Sequence, residues 1–516
     1  DVSTAGCYEE RRSLVDQYVG EGWWLEFYDR RKPFATTDGA AGLVPSEMAR
    51  QNGAIDGTPY FVGPDGRADA RINLFWRDPS VRAMATGTQR RYAFSLRVWL
   101  NFLNAIGVPW DRADATTLGD FKIWRMSAEA AERHVAASSF QLDLAAISRF
   151  YEWAAATCDG VRSPVRFRQV YHANHHELVE EREARPAGIR RADVKWLTPS
   201  AFRLWRDVGL RGFTTGGLPG ESWSGTVEDR DVAFVEGLFG TGLRCGEWSS
   251  VLTVELPQAP DRRLYRSWLA SACAKRGAGR PYWLPKRAAQ AANFYLGEGG
   301  RAEAVAFAQS KNLYSRIPEI LIVEEFRDGE VTVRSADQPR RMNVDALSPP
   351  KRMRLFRETD CGLEPLWLWL NNNGLPRPKA AWSKTFAVAN GRVTRTLEKS
   401  DGSSPQLWAR PHMLRHSFAL RWFSVATFVA WERMSGLTVA EQRDFRNQLG
   451  DVWFLLSTLL GHRSVETTRN IYLEPFQSLQ VDQLVAVMDS DDRAALERLI
   501  GVLSANEPRV LSVTGP

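Results

Sequence analysis

Cysteine is scarce in this sequence. Cys7, Cys158, Cys245, Cys273 and Cys361 are scattered, odd in number and form no CxxC pair. Such spacing suggests neither a disulfide framework nor a zinc site, and it fits a reducing cytosol. Long apolar runs are missing too. The densest, Val452 to Leu460, contains Ser457 and Thr458 and reads as a buried helix, well short of the roughly 20 residues a membrane span needs. No charged-then-apolar leader opens the chain. It begins at Asp1, not Met, which leaves room for a native piece ahead of it. There is no internal repeat and no carboxylate cluster that would suit a metal ion.

What is present is ordinary globular material, 44% hydrophobic and 25% charged, so large cores are expected in place of disorder. A chain of 516 residues is too long for one core and implies two to four domains. The 20 Trp are expected mostly in those cores, with a few left to stack on bases or sugars. The net charge of +6 is by itself weak evidence for a polyanionic partner. Its distribution says more: residues 1–70 hold 7 Lys+Arg against 12 Asp+Glu, leaving +11 to the rest of the chain.

Residues 1–83 read as an N-terminal accessory region, acidic and aromatic from Tyr8 to Tyr28. Residues 84–160 read as a helical bundle. Tyr92, Leu96, Trp99, Leu100 and Leu103 recur on one helical face, Thr88 is placed to cap that helix and Gly107 to end it. Leu118 to Met126 makes a shorter helix, and Phe140, Leu144, Ile147 and Tyr151 form a second stripe. Arg90, Arg91 and Arg97 point away from the apolar face and give the bundle a basic rim, a candidate DNA contact. Residues 161–195, with Arg190, Arg191 and Lys195, read as an extended basic linker that is either merely solvated or tracks a phosphate backbone. A second large domain, mostly helical with a small sheet, starts at Thr198-Pro199 and runs to about 490, with a tail over 491–516. Asp328-Gly329 marks a hairpin, and Val481 to Ser504 reads as a broken amphipathic helix.

Three stretches of the second domain carry the chemistry. Gly240-Thr241-Gly242-Leu243-Arg244-Cys245-Gly246-Glu247 ends one helix and starts another, putting an arginine beside free backbone N–H groups, which suits an anion. A glycine turn with a surface arginine is common, however. His412 and Arg415, in Arg410-Pro411-His412-Met413-Leu414-Arg415-His416-Ser417-Phe418-Ala419, share one helical face and pair a proton acceptor with a phosphate clamp. One such pair is more often structural. Leu459-Leu460-Gly461-His462-Arg463-Ser464-Val465-Glu466-Thr467-Thr468-Arg469-Asn470-Ile471-Tyr472 sets a tyrosine near the end of a short helix, where a lone tyrosine is normally packing.

In this order the three stretches resemble the tyrosine recombinase (phage integrase) superfamily, whose motifs read TGLRxxE, HxLRHxFA and LLGHxSxxTT followed by Tyr. The resemblance covers roughly 84–490 and implies a mainly α fold with a small β-sheet: a helical core-binding bundle and a catalytic domain closing as a C-shaped clamp on DNA. It implies that Arg244 and Arg415 grip the scissile phosphate, that His412 assists proton transfer from the attacking phenol, that His462 hydrogen-bonds the phosphate, and that Tyr472 attacks phosphorus. Glu247 and His416 would support them. The family's general-acid lysine, carried on a β-hairpin, would be Lys275, in a strand, glycine-rich turn and strand over Cys273 to Pro285, with Lys286 as the fallback. The chemistry is coherent. A pentacoordinate phosphate gains charge that two fixed guanidiniums match, and a phenol with pKa near ~10 needs a cationic pocket and a base to become a nucleophile. Arginines holding the phosphate leave no need for a metal or other cofactor.

The implied activity is site-specific recombination by an integrase or transposase of a mobile element, through a 3′-phosphotyrosyl intermediate and a Holliday junction. The implied partners are double-stranded DNA sites, a homo-tetramer on DNA and an accessory or directionality factor, with no membrane and a cytoplasmic, nucleoid-associated location. Two alternatives stay open: a type IB topoisomerase-like relaxing enzyme, and a non-catalytic DNA-binding regulator on the same fold. The separation of 168 positions between Arg244 and His412 implies an insertion around 300–405, and a second addition spans 425–450.

Overall fold

The computed structural model describes residues 22–29, 55–127, 134–172, 177–187, 194–220, 225, 227–258, 261–334, 339–401, 407–434, 441, 452–462, 464–469, 471 and 511–513. They fall into two units, Asp1–Arg190 and Arg191–Pro516. Both are mainly helical with small sheets.

In the first unit, β1 (Trp24–Phe27) pairs antiparallel with β2 (Pro59–Val62), and α1 (Ala70–Phe75) and α2 (Pro79–Arg82) lead into α3 (Thr86–Ala105), α4 (Ala115–Met126) and α5 (Ala137–Thr157). The apolar stripes are why these helices pack. Leu96, Trp99, Leu100 and Leu103 of α3 meet Phe140, Leu144, Ile147 and Tyr151 of α5 in one core. Gly107, at φ +69°, lets the chain leave α3. Asp114 caps α4 by accepting from the Thr117 amide, and Thr117 answers from its hydroxyl. Polar groups that the core could not otherwise afford are paired. Asp143 accepts from Ser95 Oγ at 2.6 Å and Arg125 Nε at 3.1 Å, joining three helices. Tyr151 accepts from Trp99 Nε1 at 3.1 Å and donates to the Trp110 carbonyl at 2.6 Å.

Several expectations need correction. The boundary at 83/84 falls inside a core, because Phe61, Ile72, Phe75, Trp76 and Val81 are buried with α3 and α5. Thr88 does not cap α3, which starts one half-turn earlier at Thr86 with no side-chain cap. Residues 161–195 are not an extended linker. Val161 and Val165 belong to the same core, β3 (Phe167–His172) and β4 (Glu177–Arg182) form an antiparallel hairpin, and Val194–Trp196 is β5 of the second unit. The basic rim is less open than expected at Arg97, whereas Arg90 is exposed. The Arg90 guanidinium lies over the Phe27 ring at 4.4 Å, and Arg97 is half-buried, which lowers its pKa. Arg91 is exposed. Arg190, Arg191 and the tail helix at 481–504 lie outside the described residues.

The second unit is built on α6 (Pro199–Gly209), α7 (Glu228–Thr241), α8 (Cys245–Trp248), the hairpin β6 (Leu264–Leu269) and β7 (Arg280–Pro285), and α9 (Lys286–Gly297) and α10 (Arg301–Ser310). Thr198 caps α6 with Pro199 in its first turn. The insertion supplies β8 (Leu321–Arg327), β9 (Glu330–Val333), β10 (Arg340–Asn343), α11 (Pro349–Arg352), β11 (Leu355–Thr359) and β12 (Gly362–Pro365). These strands form a mixed five-stranded sheet in the order β10-β9-β8-β11-β12, in which β8 and β11 run parallel. Asp328 and Gly329 turn the β8–β9 hairpin at φ +51° and +79°. Then follow α12 (Trp382–Asp401), α13 (Pro411–Met434), α14 (Val452–Leu460) and β13 (Leu511–Val513), which pairs with β5. The expected loop at 401–405 falls almost wholly outside the described residues, and α12 runs to Asp401. Trp248, Trp367, Trp369 and Trp382 fill the main core, with Phe234 stacked on Trp382. A second core joins Phe418, Leu420 and Phe423 of α13 to Leu456 and Leu460 of α14 and to Trp196 of β5.

The Tyr151 hydroxyl links Trp99 of α3 to the Trp110 carbonyl, so Tyr151→Phe leaves a buried indole N–H without its partner. The expected cost is about 1–3 kcal/mol. Hydrogen exchange in the peptides of α3 and α5 should speed up correspondingly, with the second unit unchanged. Unaltered protection in those peptides would contradict this account.

Candidate active site

The first motif is shaped by the end of α7. Thr241 turns its hydroxyl back onto the Gly237 carbonyl at 2.6 Å, and Gly242 leaves the helix at φ +66°. A side chain at Gly242 would collide with the Phe418 ring of α13, so the first two motifs pack together only because this residue is glycine. The turn delivers Arg244 to the start of α8. There Glu247 accepts from the Arg244 backbone N–H and from its Nη1, both at 2.9 Å. Glu247 thus holds Arg244 at two points.

Glu247 has a second cationic partner, which the sequence reading missed. Arg280, the first residue of β7, is buried and donates from Nη1 to Oε1 at 3.3 Å and from Nη2 to Oε2 at 2.8 Å. Burial alone would raise the pKa of Glu247, but hydrogen bonds and charge from Arg280, with Arg244 adding to them, bring it down to about 2. Arg280 carried a sequence signal only as the arginine closing the glycine-rich turn of the hairpin.

Arg415 projects from α13 and is buried. Its Nη1 donates to the Gly242 carbonyl and its Nη2 to the Leu460 carbonyl, both at 2.6 Å, so it ties the end of α7 to the end of α14. Its Nη2 also lies 3.3 Å from His462 Nε2, while His462 Nδ1 is 2.8 Å from Thr468 Oγ1. A guanidinium only donates, so Nε2 accepts and the proton sits on Nδ1, facing Thr468. Thr468, fully buried on the helical turn at 465–469, is a further residue the sequence reading left unassigned. Burial first, then Arg415, Arg244, Arg280 and His412, hold His462 down to about 3. His416 is held at about 3 by burial, then by His412, Arg415 and His462. The His412 ring meets His416 edge-on at 4.5 Å, and its pKa is lowered by partial burial and then by Arg415, Arg244 and Lys275. All three imidazoles are therefore neutral near pH 7.

Lys275 lies where β6 and β7 are joined, but not on a strand. The first strand of the hairpin is Leu264–Leu269, and Lys275 sits on a short turn within the connection, exposed. It is near enough to His412 to act on that ring's charge. Lys286 starts α9 at the opposite end of the hairpin, about 17 Å away by strand rise. Lys195, on β5, lies over the Trp408 ring at 5.4 Å, with Arg410 also against that ring at 5.1 Å. Ile471 packs against the core of α13 and α14, and Tyr472 lies outside the described residues.

Four cationic side chains, Arg244, Lys275, Arg280 and Arg415, thus gather with the carboxylate of Glu247 and three neutral imidazoles. Such an arrangement suits one or two negative charges brought by a ligand, with neutral nitrogen bases beside them.

Residues 72–157 match the family model described as the phage integrase N-terminal SAM-like domain. No curated protein sequence matches the chain. Among solved structures it is similar to the XerH site-specific recombinase bound to palindromic difH substrate in a post-cleavage complex, at 12% identity, with 82% of this chain and 86% of that one covered and a TM-score of 0.42. It is also similar to the Tn1549 transposon integrase in complex with transposon right end DNA, at 13% identity, with 78% and 94% covered and a TM-score of 0.39. Superpositions this loose carry no residue roles across.

The low pKa of His462 has a consequence for stability. Its folded value of about 3 lies below the ordinary 6.5, so protons favour the unfolded chain. The stability it contributes is complete above about pH 6.5 and is lost as pH falls toward 3. In urea unfolding, His462→Gln should lose less stability than wild type between about pH 7.5 and about pH 5. Equal losses would mean that His462 is not held neutral.

Proposed function

We propose that the chain is a tyrosine recombinase (phage integrase) that cleaves and rejoins DNA strands at specific sites, a reading supported by the match of residues 72–157 to the phage integrase N-terminal SAM-like domain. The observation that carries this reading is that Arg244, Arg415 and Lys275, from three separate parts of the sequence, lie near the His412 ring, with Arg415 Nη2 also 3.3 Å from His462 Nε2.

In the proposed reaction a scissile phosphate enters the cationic pocket and is held by Arg244 and Arg415. The Tyr472 oxygen attacks phosphorus, and His412 takes the phenolic proton. The bond to the 5′ oxygen breaks as Lys275 donates a proton to it. The products are a 3′-phosphotyrosyl link and a free 5′-hydroxyl. Attack by a 5′-hydroxyl, with the protons moving in reverse, rejoins the strand and frees Tyr472. A phosphate oxygen that draws the Arg415 N–H to itself also releases His462 Nε2, and His462 would serve the phosphate by moving to the other tautomer, with Nε2–H donating to the phosphate and Nδ1 accepting from the Thr468 hydroxyl. Exchange between two sites needs four such subunits on DNA and proceeds through a Holliday junction, with an accessory or directionality factor as a further partner. The helical unit and the catalytic unit would act together as a clamp, and the phosphate contacts of Arg91 and Lys195 would give binding a steep salt dependence.

Incubation with nicked attachment-site DNA, without added metal, tests the reading. Wild type should form a covalent protein–DNA adduct, and Tyr472→Phe should bind DNA normally and form none. Arg244→Lys keeps the charge but loses the planar fork, and should cleave about 100-fold or more slowly at little cost in affinity. An adduct that survives Tyr472→Phe would remove that residue as nucleophile. Relaxation of supercoiled DNA without exchange between two sites would favour a topoisomerase-like enzyme.

A further inference from the structure

Glu247 has two cationic partners that differ in access. The Arg280 side chain is 10% exposed and that of Glu247 3%, whereas Arg244 is 25% exposed. Of the two guanidiniums, Arg244 is the one open to a ligand. Arg280 turns both terminal nitrogens to Glu247, and its buried Nε has no hydrogen-bond partner. That edge lies against Gly461: a side chain there would occupy the space of the Arg280 Cδ, Nε and Cζ atoms. Gly461, at φ +63°, immediately precedes His462. Arg280 also closes the last pair of the hairpin, opposite Leu269, at the root of the connection that carries Lys275.

We propose that Arg280 is a positioning residue for cleavage, which supplies the counter-charge for Glu247 so that the charge of Arg244 remains available to the scissile phosphate. The inference rests on the cleavage activity proposed above. One carboxylate between two guanidiniums leaves one unit of positive charge, and because Arg280 is enclosed, that unit is expressed at Arg244. Without Arg280, Glu247 and Arg244 become a neutral pair. The buried carboxylate then has a stronger hold on Arg244 and competes with the phosphate for its N–H groups. Packing of Arg280 on Gly461 adds a second effect of the same sign, since it fixes the backbone from which His462 projects.

The charge argument makes a prediction that a purely structural role does not: the defect of Arg280→Met should be relieved by removing the carboxylate as well. The experiment compares wild type, Arg280→Met, Arg280→Lys, the double variant Glu247→Gln/Arg280→Met, and Lys275→Ala. Cleavage is measured on nicked DNA and on the same DNA with sulfur in place of the bridging 5′ oxygen, alongside DNA affinity and urea unfolding. Arg280→Met should cleave about 100-fold more slowly on both substrates, with affinity little changed. The double variant should recover about tenfold over Arg280→Met. Arg280→Lys, which keeps the charge and folds more safely, should lose less than about tenfold. Lys275→Ala should be rescued by sulfur. Rescue of Arg280→Met by sulfur would assign Arg280 to the Lys275 connection and overturn the proposal. So would a double variant no faster than the single one, or an Arg280→Lys as slow as Arg280→Met. A wild-type chain that forms no adduct would overturn the cleavage reading itself, and this inference with it.

Discussion

Cations that repel one another stay in one place only if each is tied down by something other than the anion they await. Here the ties are specific. Arg415 is held by the carbonyls of Gly242 and Leu460, and Arg244 and Arg280 share the carboxylate of Glu247. The ties of Arg415 and Arg280 join parts of the sequence far apart. Arg415 connects the ends of α7 and α14 through α13, and Glu247 connects α8 to the hairpin. The pocket and the packing of the second unit are therefore one problem with one solution. Gly242 and Gly461 are the places where a Cβ would prevent it, one against Phe418 and the other against Arg280.

The same device recurs away from the pocket. Arg301 donates to the carbonyls of Leu368, Pro365 and Trp367 and to Glu364, and Arg352 to the carbonyls of Ser250 and Val344 and to both oxygens of Glu255. Both are almost wholly buried. A planar fork with five donors can satisfy several carbonyls where strands and helices end, which a lysine cannot. These arginines stitch the inserted sheet to the α7–α9 core. Part of the chain's positive charge is thus spent internally, so net charge overstates what is left for a polyanion, and its placement matters more than its total.

Much of the fold was legible because it is local. The stripes of α3 and α5, the Thr198-Pro199 start of α6 and the Asp328-Gly329 turn all rest on spacing within a few residues. The three motifs were legible for the same reason, since each is one turn or one helix face. What escaped depends on partners distant in sequence. Arg280 and Glu247 are 33 residues apart, and nothing in either stretch announces the pair. The boundary at 83/84 failed likewise, because the acidic, aromatic character of the N-terminal segment does not reveal that Phe61, Phe75 and Trp76 complete the core of α3 and α5. The stretch at 161–195 looked extended because its arginines and prolines are conspicuous, while the register that sets Arg168 opposite Glu181 and Val170 opposite Val179 is not. Lys275 was placed on a hairpin rightly, but the strand before it lies at 264–269, so the lysine rides in the connection.

The histidines complete the electrostatic picture. A buried imidazole loses its proton, and neighbouring guanidiniums add to the effect, so His416 and His462 sit near 3 and His412 below its ordinary value. A phenol near such a pocket faces positive charge that favours its anion and a neutral ring able to accept its proton. If the histidines were charged, they would add to the positive field but have no lone pair to offer. The arginines contribute to both, attracting the phosphate and adding to burial in keeping the bases unprotonated, provided they are not neutralised within the protein. Glu247 is the carboxylate that threatens this balance, and Arg280 is the residue placed to absorb it.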